Sequence, residues 1–203
     1  MGMLRVNGAA FLAVVGLLAM PFGSATAEES GDKGILDGAY ARLGLAIGWP
    51  NIDDSSVSGS TGAGLSFVGG YEVMNGLAAE VEFVFTAGTQ AERADGTEFG
   101  ESASNIAFTI NAKAYPLELL GQDLLPEKIR PYGIFGMGGG SVGAGGSEPG
   151  IKTIGAFLVR FGGGVDWMFT SNFGLYADGS YYVSSKDVRT GYGNMTFGAI
   201  YAF

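Results

Sequence analysis

Apolar and polar side chains alternate with a period of two over most of the chain from Gly38 onward, the signature of half-buried β-strands. The first run, residues 39–49, sets Ala39, Ala41, Leu43, Leu45, Ile47 and Trp49 against Tyr40, Arg42, Gly44, Ala46 and Gly48. A second sets Leu65, Phe67, Tyr71 and Val73 against Gly64, Ser66, Val68 and Gly70, and ends at Asn75-Gly76, a strong hairpin signal. The third opposes Leu77, Ala79, Val81, Phe83 and Phe85 to Glu80, Glu82 and Thr86. The fourth opposes Ile106, Phe108, Ile110, Ala112 and Ala114 to Asn105, Thr109, Asn111, Lys113 and Tyr115. Residues 117–130 interrupt the pattern as a short helix or a folded loop, and the fifth run, residues 131–140, is too glycine-rich to fix its facing. The sixth places Phe157, Val159, Phe161, Val165, Trp167 and Phe169 opposite Leu158, Arg160, Gly162, Gly164 and Asp166. A turn at residues 170–172 leads to the seventh, with Phe173, Leu175, Ala177, Tyr181 and Val183 opposite Tyr176, Asp178, Ser180 and Tyr182, and the eighth runs through Phe203.

These are eight consecutive strands of about ten residues with no helical crossover, so the sheet is antiparallel and sequential. Connections at 50–61, 88–102, 141–152 and 185–190 are long and polar or glycine-rich, whereas those near 74–76 and 170–172 are tight. One-sided alternation of loop length is the habit of membrane barrels, with short periplasmic turns and longer outer loops. The expected fold is all-β: an eight-stranded antiparallel transmembrane β-barrel of up-and-down order, with both termini on the periplasmic side.

A soluble eight-stranded barrel has the same period with its apolar face inward. Three features favour the opposite facing. The polar face is mostly Gly, Ser, Thr, Asn and Tyr, where a solvated face would be rich in Lys and Glu. The apolar face carries aromatic residues near strand ends, Trp49, Tyr71, Trp167, Phe169, Phe173 and Phe203, as interfacial girdles do. The charges of the polar face also nearly balance: Arg42, Lys113 and Arg160 against Glu80, Glu82, Asp166 and Asp178. A lumen that side chains just fill would need such charges paired. Removing Arg160 is then expected to strand Asp166 or a glutamate. Glycines 44, 64, 162, 164 and 198 are expected to leave space in that lumen, and Tyr40, Tyr115, Tyr176 and Tyr182 to refill it.

Residues 1–27 read as a cleavable secretory signal: Arg5, an apolar or small run over residues 9–20, Pro21 and Gly23, then Ala25-Thr26-Ala27 before Glu28-Glu29. That run is too short to span a membrane as a helix. The expected organisation is a signal peptide (1–27), a short periplasmic segment (28–37) and the barrel (38–203). The chain has 203 residues, 37 of them glycine, with no Cys, no His and a formal net charge of −9. Those absences exclude a Ser-His-Asp triad, a cysteine nucleophile, a Cys/His zinc site and disulfides, and the negative charge disfavours nucleic acid.

The signal, the Arg130-Pro131-Tyr132-Gly133 entry to a glycine-rich strand, the Gly162-Gly163-Gly164-Val165-Asp166-Trp167 strand and the terminal run, residues 195–203, resemble the OmpA-like outer-membrane β-barrel family. The resemblance is to its small eight-stranded members without a peptidoglycan-binding domain. It implies a place in the outer membrane, contact with outer-membrane lipid and lipopolysaccharide, and recognition by the assembly machinery. Phe197, Tyr201 and Phe203 stand as the assembly signal. It does not fix an activity.

No cofactor is expected. Gly138, Gly140 and Gly143 satisfy a dinucleotide-binding pattern by count, but residues 144–149 start no helix behind it to meet a pyrophosphate. Asp53-Asp54 and the loop acids Glu92, Asp95, Glu98 and Glu101 lack metal-loop spacing and read as solvated charge. Glu80 and Glu82 could pair as catalytic carboxylates, yet Arg and Lys on the same face are expected to neutralise them, and the resemblance implies histidine in the active sites of the small barrel hydrolases, acyltransferases and proteases, which this chain lacks. The expected role is structural or surface-interactive, in envelope integrity, adhesion or host contact through the long outer loops. The alternative is a narrow pore for small solutes through the lumen.

Overall fold

The computed structural model describes residues 38–50, 57–59, 61–93, 98–122, 124–144, 154–184 and 191–203. The signal and the short segment expected over residues 1–37 lie outside the described residues, as do Asp53, Asp54 and Asp95 and the side chains of Glu92, Glu98 and Glu101. The strands are β1 (Ala39–Pro50), β2 (Val57–Gly59), β3 (Gly62–Met74), β4 (Leu77–Arg93), β5 (Glu98–Ala114), β6 (Ile129–Ala144), β7 (Ile154–Met168), β8 (Phe173–Ser184) and β9 (Tyr192–Ala202), with a single helical turn, α1 (Pro116–Leu119), between β5 and β6.

Each long strand pairs antiparallel with the next, and β1 pairs with β9 from Tyr40↔Ala202 to Pro50↔Tyr192, which closes an eight-stranded barrel. The backbone amide of Phe203 donates to the Ala39 carbonyl at 3.0 Å and completes the seam. Closure leaves no long edge for another chain to extend. The β3–β4 hairpin turns at Asn75-Gly76, where Gly76 has φ +81°, a conformation that favours glycine. At the β7–β8 turn the Thr170 hydroxyl accepts the amides of Asn172 (3.3 Å) and Phe173 (3.0 Å), and the Asn172 side chain donates to the Ala202 carbonyl (2.9 Å).

One expected loop is largely strand. β4 and β5 stay paired to Glu92↔Glu98, well into the 88–102 segment, and β2 adds a third strand there through Val57↔Arg93 and Gly59↔Ala91. Polar composition marks exposure to water. It does not stop a ladder whose amides and carbonyls still find partners above the barrel. The fifth run also acquires a facing: Arg130, Tyr132 and Ile134 point inward, Phe135 and Met137 outward. The Gly138–Gly143 pattern sits inside β6, with no helix behind it.

The radial distribution inverts that of a soluble protein. Leu43, Ile110 and Phe135 are 54–60% exposed, while Arg42, Glu80, Lys113, Arg160 and Asp166 are at most 2% exposed. A continuous apolar exterior of this extent is foreign to a soluble monomer. From Ala39 to Trp49 the outward positions span about 34 Å along the strand, which a tilt of about 40° reduces to roughly 26 Å, close to the ~25 Å apolar band of membrane barrels. Trp167, Phe169 and Phe173 form a contiguous aromatic group at the short-turn end (centroids 4.8 and 6.2 Å), and Tyr201 packs on Phe203 at 5.2 Å.

Candidate functional site: the charged lumen

Strand alternation aims the polar positions at the axis, and barrel closure sets which of them meet. Arg42 on β1 is the centre. It donates through Nη1 to Glu80 Oε1 on β4 (3.1 Å), and through Nη2 to Tyr132 Oη on β6 (2.5 Å) and Asp178 Oδ2 on β8 (3.3 Å). Counting around the closed order, β6 lies diametrically opposite β1, and β8 opposite β4. A single guanidinium therefore spans the bore. Its Cζ lies 3.7 Å from the Tyr176 ring centroid, a cation–π contact.

Two further cations complete the set. Lys113 on β5 bridges Asp166 on β7 (2.7 Å) and Glu80 (3.4 Å), and lies over the Tyr132 ring at 3.9 Å. Arg160 on β7 pairs with Glu82 on β4 through Nη1 and with Asp178 through Nη2 (3.3 Å), while its Nε donates to Ser180 Oγ (2.9 Å). All seven charged residues singled out in the sequence thus lie in one connected cluster. Of the two carboxylates expected to depend on Arg160, the glutamate is Glu82, joined by Asp178, whereas Asp166 pairs with Lys113. Asp166 stands six residues from Arg160 on the same face of β7, about 20 Å along the strand and out of its reach, and meets Lys113 of β5 instead.

Four carboxylates face three cations, and neutral donors make up the deficit. Tyr40 donates its hydroxyl to Glu80 (2.8 Å), Tyr115 to Asp166 (2.8 Å), and Ser66 to Glu82 (3.1 Å). Hydrogen bonds of this charge-assisted kind are what allow buried carboxylates to stay ionised. The hydroxyl donors escaped the sequence reading, which counted the tyrosines only as volume.

A second cluster was missed altogether. At the short-turn end Arg130 bridges Glu72 (3.1 Å) and Glu118 (Nε–Oε1 2.5 Å, Nη2–Oε2 2.7 Å) and lies 4.0 Å over the Tyr115 ring. Glu72 was within reach, since it continues the inward series Ser66, Val68, Gly70. Glu118 was not, because α1 breaks the period.

The glycines do not leave a hollow. A methyl group built at Gly64 would strike the Phe85 carbonyl, one at Gly198 the Leu43 carbonyl, and one at Gly44 the Tyr176 ring. In a tightly curved barrel the inward sides of adjacent strands converge, so glycine marks close approach of backbone. The terminal aromatics stand apart from the lumen: Phe197, Tyr201 and Phe203 are on the outer face, Phe203 77% exposed.

An apolar exterior around a packed, ion-paired interior on a closed meander defines an outer-membrane β-barrel protein. The family described as outer membrane protein beta-barrel domain matches residues 10–203, and the chain belongs to it. Membership places it in the outer membrane. Among solved structures it resembles Ail, the attachment invasion locus protein of Yersinia pestis (17% identity over 82% of this chain and 99% of that one, TM-score 0.56). It also resembles OprG of Pseudomonas aeruginosa (12%, 84% and 98%, 0.56) and Neisserial surface protein A (18%, 82% and 98%, 0.53). A further structure of Ail is in complex with the heparin analogue sucrose octasulfate (19% identity over 82% and 99%, TM-score 0.53). At these identities what is shared is the fold. A search of the curated proteins finds no match.

Proposed function

We propose that the chain is exported by a signal cleaved after Ala27, recognised by the outer-membrane assembly machinery through Phe197, Tyr201 and Phe203, and works as a closed barrel. Its role is structural or surface-interactive, in envelope integrity, adhesion or host contact, and its outer connections carry it. The observation that supports this reading is the cluster centred on Arg42, which joins four strands across the bore. A solute would have to break several buried ion pairs to pass, each costly to open.

The heparin analogue found in complex with Ail does not transfer to this chain. The outer connections here carry Asp53, Asp54, Glu92, Asp95, Glu98, Glu101, Glu148 and Asp187 against Arg93, Lys152, Lys186 and Arg189. That excess of acid repels a sulfated sugar and suits a cationic or neutral surface, or lipopolysaccharide phosphates bridged by divalent cations.

The test is single-channel recording of the refolded chain in a planar bilayer, with a compact heat-modifiable band on unheated gels as proof of folding. A folded, silent barrel supports the closed reading. Steady discrete openings overturn it in favour of a small-solute pore, with Arg42, Glu80, Glu82 and Arg160 as its selectivity residues.

A further inference from the structure

The connection between β5 and β6 is the longest on the periplasmic side, and it is leucine-rich. Leu120 and Leu124 are 68% and 71% exposed, and Leu119 and Leu125 nearly half exposed. The charge of α1 is turned away from them: Glu118 is held by Arg130 at the mouth of the lumen. The segment is not loose. The Tyr115 amide donates to the Gly76 carbonyl at 2.8 Å, and Leu119 packs so closely on the β3–β4 turn that a Cβ at Gly76 would lie 3.0 Å from its Cγ. Next to that turn, Val73 and Met74 continue the exposed apolar exterior down to the same level.

A second observation fits the first. The periplasmic girdle has Tyr71 on β3, Trp167 on β7, Phe173 on β8 and Tyr201 on β9, while Ala39 of β1 lies between Tyr71 and Phe203. In the sector formed by β4, β5 and β6 the first outward aromatic is Phe135, paired with Ala112, and none lies nearer the turns. Its outward positions at that level are Leu77, Ala79, Ala112, Ala114, Ile129, Pro131 and Gly133. The leucine-rich connection leaves the barrel from this same sector.

We infer that Leu119, Leu120, Leu124 and Leu125 insert into the inner-leaflet phospholipid of the outer membrane and supply the interfacial anchor that the girdle lacks on this side. The occupant of the patch is lipid because the patch is continuous with the membrane-facing surface and directs its one helical charge inward. Glu127 and Lys128, exposed beyond Leu125, are left for the headgroup and water side of the same interface. The inference rests on the membrane location of the barrel and is independent of whether the lumen conducts.

The chain has no cysteine, so single-cysteine variants label cleanly. Nitroxide is placed at Leu120→Cys and Leu124→Cys in the full mature barrel, refolded in phosphatidylcholine–phosphatidylglycerol vesicles. Collision with oxygen and with a water-soluble nickel chelate is then read by power saturation. Ile110→Cys serves as the mid-membrane reference and Ser171→Cys, on the exposed β7–β8 turn, as the aqueous one. The expected result is an oxygen-to-nickel ratio at both leucine sites several-fold above that at position 171 and below that at 110. Ratios equal to that at 171 overturn the inference, as does spin–spin broadening, which would make a second copy the occupant. An aqueous signal at 110 would instead defeat the membrane location itself, so the two failures are distinguishable.

Discussion

Arg160→Ala is the sharpest probe of the lumen, because the structure says which carboxylate it abandons. Asp178 loses Arg160 but keeps Arg42 at 3.3 Å. Glu82 loses its cation and keeps, among the described residues, the Ser66 hydroxyl (3.1 Å) and the Asn111 amide (3.5 Å). Both Arg160 and Glu82 are 1% exposed, so water does not replace the lost charge. Breaking a buried pair from one side costs about 3–5 kcal/mol, and a glutamate left with two neutral donors belongs near the middle, about 4 kcal/mol. At about 1.4 kcal/mol per factor of ten, that is nearly a thousandfold in the folding equilibrium. The assay is urea unfolding of the barrel in phospholipid vesicles, followed by tryptophan emission and by the migration of unheated samples. Adding Glu82→Gln to Arg160→Ala removes the orphaned charge and should recover more than half the loss. A single variant within about 1 kcal/mol of the parent, or a double variant no better than the single, refutes the account of how the lumen is held.

The other predictions probe closure, assembly and strand approach. Arg42→Ala should cost less stability than Arg160→Ala, because Glu80 keeps Lys113 and Asp178 keeps Arg160. It should nonetheless turn a silent barrel into a conducting one in planar bilayers, and a folded, silent Arg42→Ala barrel would show that something else closes the bore. Phe203→Asp, at an outer-face position that no lumen group touches, should sharply lower the amount assembled in cells while refolding in vesicles proceeds as before; equal losses in both settings would make Phe203 a stability residue. Gly64→Val should destabilise by roughly 1–3 kcal/mol or block folding, since its Cβ meets the Phe85 carbonyl, whereas Gly69→Ala, which points into open space, should be neutral in the same urea series.

Period-two alternation was enough to locate eight strands, to give the polar faces of six, and to name the seven charges that share the lumen. That follows because side-chain direction in a strand depends only on residue parity, and parity is written in the chain. It carried Glu72 too, one step past the last residue assigned to that face. The facing of β6 was illegible, since Gly136, Gly138, Gly139 and Gly140 give no contrast between sides. The real extent of the β4–β5 hairpin was hidden by polar composition that suits a loop and a solvated strand equally. Pairing was decided by tertiary structure alone. Whether Arg160 finds Glu82, whether Arg42 reaches Tyr132, and whether a lumen glycine faces a void or a carbonyl all depend on how the closed sheet staggers one strand against the others. That stagger is a property of the ring as a whole, to which each strand contributes and which no single strand encodes.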